Sequence, residues 1–320
     1  MWAQTRDDPF AKFAPVPSLQ SAWAFSVRRW HCVRQALSTL PEDVACVAVS
    51  GSLSRMETHE NSDLDVLVVI DDRERTVPAT HLYERVWDQL RRHDELRLLK
   101  PPKPGGIFSR CVSWKALTDV TARGIVAEDI TAYGQRMQLL LDSQPAAATG
   151  VFVELQVDLL NWYAETRVSE MFGEAGPFHW LWQDVQRYWR SIRARANWLH
   201  HDQADRSLEV NLKLRSSRLT LVAAFLLSIA ETHRETRSLP EAVAFLCQQL
   251  TWTPLERLVV AMPGTQPARE LLVSYETVWK SIANGEFADG RIPEPALAAL
   301  ACLRNCLSLL PRASEPDWWF

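Results

Sequence analysis

Apolar residues recur over residues 18–39 at the spacing of one helix face, through Trp23, Trp30, Val33 and Leu37, until Pro41 ends the pattern. Two valine-rich runs follow, VACVAV over 44–49 and VLVVI over 66–70, in which no polar residue interrupts. Such runs suit strands covered on both faces. Helical spacing returns over 80–96 through Leu82, Val86 and Leu90. The stretch KPPKPGG at 100–106 excludes a ladder or a helix, because its prolines and glycines remove donors and break the backbone pattern. The chain is expected to turn there into a third strand over 107–113. Beyond residue 150 the periodicity is helical throughout, predicting helices over 151–171, 178–200, 208–233, 240–250, 254–261, 268–284 and 293–310.

The switch from buried runs to long amphipathic periods predicts an α+β protein, a small mixed-sheet domain followed by an all-helical one. The expected division is an N-terminal helical segment at 1–41, a sheet domain at 42–147 and a helical domain at 148–320, with SQPAAATG as the linker. Charge narrows the partners. The chain has 320 residues, with 35 Lys and Arg against 39 Asp and Glu for a net charge of -4. A protein that coats nucleic acid or an anionic membrane needs an excess of basic residues. The longest apolar stretch, 219–230, is shorter than the roughly 20 residues that cross a bilayer. The N-terminus MWAQTRDDPF lacks the basic start and apolar core of an export signal. The six cysteines are therefore expected to be reduced thiols in a cytoplasmic protein. Cys302 and Cys306 stand four apart on a predicted helix, but no His or Cys partner lies near them at a usual ligand spacing.

Chemistry concentrates in VAVSGSLSRMETHENSDLDVLVVI, residues 47–70. A buried strand leads into Gly51-Ser52, where glycine permits close approach of the backbone, and the amides and Ser52 hydroxyl of the next helical turn can hold a phosphate. Asp63 and Asp65 then open the second strand, whose period of two places both carboxylates on one face and Leu64 on the other. Paired carboxylates beside a phosphate holder suit Mg²⁺, which takes one or two carboxylates together with substrate phosphates. Taken alone, SDLD is also a common solvated turn or cap. VSGSLS does not supply the Gly-x-Ser-x-Gly elbow of a serine hydrolase.

The run GSLSRMETHENSDLDVLVVI resembles the nucleotidyltransferase fold of the DNA polymerase β superfamily, whose signature is Gly-Ser, a short helix and Asp-x-Asp on a strand. SGSLSR, ENSDLD and LLLDSQP look like bacterial nucleotidyltransferases related to the uridylyltransferase of nitrogen regulation, and WQDVQRYWRSIRA and NLKLRSSRLTL are similar to the second domain of that group. The likeness runs in patches over 45–320, and only the Gly-Ser and Asp-x-Asp part is specific. The resemblance implies that Gly51 and Ser52 bind a nucleoside triphosphate and that Asp63 and Asp65 bind magnesium, with two ions expected. The family usually adds a third acid from a neighbouring strand, yet 96–118 contains no acidic residue. Asp142, at the end of the apolar run RMQLLLD, is the expected surrogate, ahead of Glu95 and Glu128.

Arg55, Lys213 and Arg218 are further candidates for the triphosphate. Lys213 is one of only 6 lysines against 29 arginines, and it shares the run NLKLRSSR with Arg215 and Arg218. A solvated face neutralising Asp205 and Glu209 is the alternative reading of that run. The function expected from the whole is magnesium-dependent transfer of a nucleoside monophosphate to a hydroxyl on a protein, a small molecule or an RNA end, with RNA disfavoured by the acidic balance. A nucleotide-binding regulatory module, or a toxin-like protein of the same fold, with weak or lost turnover is the alternative.

Overall fold

The structure is a computed structural model and describes residues 2–74, 79–99, 101–102, 105–125, 127–164, 176–202, 204–236, 238–286 and 291–310. The chain gathers into two compact units. One comprises Met1–Arg6, Ala22–His179 and Ser238–Thr251, and the other Asp7–Ser21, Trp180–Arg237 and Trp252–Phe320.

The first unit is built on a four-stranded mixed sheet in the order β3-β2-β1-β4, with β1 at Val44–Ser50, β2 at Asp65–Ile70, β3 at Val112–Ser113 and β4 at Ser143–Ala147. The two valine-rich runs become the central strands β1 and β2, paired antiparallel from Val44 against Ile70 to Ser50 against Asp65. Helices α1 (Pro17–Ala36) and α3 (Leu82–Arg91) cover one face of this pair. There Trp30, Val33, Leu37, Val86, Trp87 and Leu90 form one core with Val47, Val49, Val66 and Val68. Helices α5 (Ile130–Leu141) and α6 (Thr149–Tyr163) pack against β1 and β4. Burial of apolar side chains on both faces, at roughly 1.5–3 kcal/mol each, is what makes an uninterrupted apolar run a stable central strand.

Three expectations about the first unit are corrected. The strand expected over 107–113 is only Val112–Ser113, parallel to β2. SQPAA, expected as a linker, is the edge strand β4, antiparallel to β1. Its composition conceals it, because proline is tolerated at an edge where no further ladder bond is required. The Pro145 carbonyl instead accepts a bond from Trp30 Nε1 at 3.2 Å. Helix α6, expected beyond the domain boundary, groups with the sheet in the first unit.

The second unit is helical, and all four strands of the described residues lie before residue 148. The helix expected over 208–233 is three pieces: Ala204–Lys213, a π-helical turn Leu214–Arg218, and Leu219–Glu235. Within the wide turn Ser216 Oγ donates to the Leu212 carbonyl at 2.6 Å and Ser217 Oγ to that of Lys213 at 3.3 Å. Such back-bonding competes with the helical ladder and loosens it. Residues 165–171 of the helix expected over 151–171 lie outside the described residues. Among the described residues, no helix is long and apolar enough to cross a membrane.

Candidate active site

The site stands at the end of the sheet where β1 finishes and β2 begins. β1 hands the chain to a four-residue helix, α2 (Gly51–Ser54), through Gly51 at φ +69°. That left-handed backbone favours glycine, and space demands glycine as well. A Cβ at position 51 would lie 2.7 Å from Asp65 Oδ2 and 3.6 Å from its Cγ. The bare Cα is what allows the strand-to-helix turn to rest against the Asp65 carboxylate. Gly51→Ala is therefore expected to cost about 1–2 kcal/mol in backbone strain and to push Asp65 out of place. Chemical denaturation together with Mg²⁺ titration checks both effects.

Strand alternation sets the direction of Asp65. Leu64 is buried in the core with Val66, Val68 and Ile70, under α1 and α3. Asp65 has the opposite parity and is half-buried, while Asp63, just ahead of the strand, is exposed. Across the sheet Asp65 pairs with Ser50, whose Oγ donates to Gln138 Oε1 on α5 at 3.0 Å and to the Asp142 carbonyl at 2.7 Å. The approach to Asp63 is pinned to α1. Ser26 Oγ accepts from Thr58 N at 2.9 Å, and Arg29 Nη1 donates to the carbonyls of His59 at 3.4 Å and Ser62 at 3.2 Å. Within 51–58, Ser52 is the residue that solvent reaches, the others being buried.

Arg55 and Asp142 meet beneath this turn. The Asp142 side chain is 0% exposed; its Oδ2 receives Arg55 Nη1 at 2.5 Å and its Oδ1 receives Ser54 Oγ at 2.8 Å. Arg55 Nε also donates to Glu57 Oε2 at 3.0 Å. Arg55, expected at the nucleotide, and Asp142, expected as the third acid, are thus built into a buried network that braces residues 51–57. Ser143, next to Asp142, pairs with Ser50, so β1 lies between Asp142 and Asp65 in the sheet. Ser54, Glu57 and Gln138, which complete the brace, were not singled out in the sequence, since no spacing links the run 51–57 to residues 138–142.

The strand neighbouring β2 on its other side brings no carboxylate to this end of the sheet. The described residues 105–113, which lead into and form β3, contain no acid. Glu128 forms a buried ion pair with Arg136, whose guanidinium stacks 3.9 Å from the Trp162 ring. Lys213 and Arg218 belong to the other compact unit. There exposed Lys213 pairs with Glu209 one turn earlier, as the solvated-face reading anticipates, and Arg218 ends the π-helical turn.

At this end of the sheet a glycine turn thus rests against the Asp65 carboxylate, with the exposed Asp63 just ahead of the same strand. Comparison with known families makes this particular. Residues 32–105 match the family model described as Nucleotidyltransferase domain. That stretch of the first unit is thus similar to a nucleotidyltransferase domain. The match includes Gly51, Ser52, Arg55, Asp63 and Asp65, lies within the first unit and ends before β3 and Asp142. No curated protein matches the chain.

Proposed function

We propose that the protein transfers a nucleoside monophosphate from a nucleoside triphosphate to an acceptor hydroxyl, with Mg²⁺ held by Asp63 and Asp65. The observation that carries the reading is the contact between Gly51 and the Asp65 carboxylate, which joins the phosphate-holding turn to the metal-holding strand. The donor set fits the ion, because hard carboxylate oxygens, one exposed and one half-buried, leave room for the phosphates and water that Mg²⁺ retains. When bound, the metal supplies neutralisation of charge on the triphosphate. The backbone of the 51–54 turn and the Ser52 hydroxyl orient the phosphates, and the buried Arg55–Asp142–Ser54 network keeps that turn in shape. The acceptor oxygen forms a bond to the α-phosphorus as the α–β bridge breaks. Pyrophosphate leaves with the electron pair, and the hydroxyl proton passes to water. The net charge of -4 favours a protein or small molecule over RNA as acceptor.

A regulatory module that binds nucleotide without turning it over is the second reading, favoured by the acid-free approach to β3 and by the enclosure of Asp142. Incubating the full chain with each labelled triphosphate, Mg²⁺ and cell lysate separates the two. Transfer of label with release of pyrophosphate is the expected result. Magnesium-dependent binding without pyrophosphate supports the regulatory module, and failure to bind any triphosphate overturns both.

A further inference from the structure

Away from the nucleotide site, the second unit brings together three groups that the sequence keeps apart. The helix Thr265–Ala283 packs beside the helix Glu294–Leu307. The i, i+4 spacing of Cys302 and Cys306 puts both sulfurs on one face of the second helix. Glu270, from the first helix, meets them there, and one ligand atom from each residue lies within 4.8 Å of the other two. Cys306 is buried, Cys302 half-buried and Glu270 exposed, so the group opens from the core to solvent. Gln266 Nε2 donates to Glu270 Oε1 at 2.7 Å, which fixes the carboxylate from one turn away.

We propose that Glu270, Cys302 and Cys306 form a three-ligand site for a thiophilic divalent cation of the Zn²⁺ class, with water in the fourth position. Two sulfurs and one carboxylate oxygen are a zinc donor set, whereas Mg²⁺ takes oxygen alone. Distances agree with this choice. Ligand atoms on a tetrahedral zinc with bonds of about 2.0–2.3 Å lie roughly 3.3–3.8 Å apart, so a cluster already inside 4.8 Å closes on the ion by side-chain adjustment. The two thiols release their protons and the sulfurs bind as thiolates; no electron is transferred. Bound metal would tie the two helices together at this point and stabilise the folded chain.

The test uses the full chain, fully reduced and stripped of metal, titrated with Co²⁺ and Zn²⁺, with Mg²⁺ as a control. The expected result is one Co²⁺ per chain with a thiolate-to-metal charge-transfer band, displaced by Zn²⁺ and unaffected by Mg²⁺, and a Zn²⁺-dependent rise in the unfolding midpoint. Cys306→Ser places a polar group in the core, so the decisive variants are Cys302→Ser, half-buried, and Glu270→Gln, on the surface. Each should weaken binding by at least the ~10–100-fold that loss of an outer-shell partner costs in other metal sites. Absence of the band in the reduced protein, or a band of unchanged affinity in both variants, overturns the proposal. The readout involves no nucleotide, so it stands or falls apart from the transferase reading.

Discussion

Asp65→Asn is expected to abolish nucleotidyl transfer while leaving the fold in place. The substitution is close to isosteric and removes the charge from the carboxylate against which the Gly51 turn rests. Under the proposed function, losing this charge removes several kcal/mol of transition-state stabilisation, or about 10³-fold in rate. Pyrophosphate release under saturating triphosphate measures this, with thermal unfolding as the check on structure. Asp88→Asn, at an exposed carboxylate of α3, is the matched control and should retain transfer. Full activity in Asp65→Asn would remove this residue from the metal site and leave the Gly51 contact without a catalytic meaning.

Asp142→Ala, by contrast, is expected to act first on stability. Removing one partner of a buried ion pair costs about 3–5 kcal/mol, because the other charge stays enclosed. Here Glu57 still faces Arg55, which places the cost toward the lower end. The lost Ser54 bond adds to it, and the unfolding midpoint should fall by roughly 6–20 °C. Transfer should weaken as well, since the brace beneath 51–57 loosens. Asp142→Asn, which keeps an acceptor oxygen for Ser54, should recover part of the stability. A variant that held its midpoint yet lost turnover would instead make Asp142 the acid that serves the acceptor hydroxyl. Differential scanning fluorimetry paired with the pyrophosphate assay distinguishes these outcomes.

What the amino-acid order alone determined was what depends on neighbours in the chain. The two central strands, the helix that precedes them and the α+β succession follow from local periodicity, and the helix expected over 254–261 has those bounds. The direction of Asp65, opposite to Leu64, follows from the period of two. The match over 32–105 contains the same local run.

Tertiary structure decided whatever joins distant segments. SQPAA carries no strand signal of its own and becomes β4 because β1 offers an unpaired edge and Trp30 reaches the Pro145 carbonyl. Arg55 and Asp142 read separately as a nucleotide contact and a surrogate base, but they stand 87 positions apart and the chain between them folds so that the two pair in a buried network. Glu270 lies 32 positions before Cys302 and is no ligand by spacing, yet packing of two helices sets it beside both thiols. Each of these depends on which faces pack together once the apolar surfaces are buried, and local pattern specifies that a face is apolar without specifying its partner.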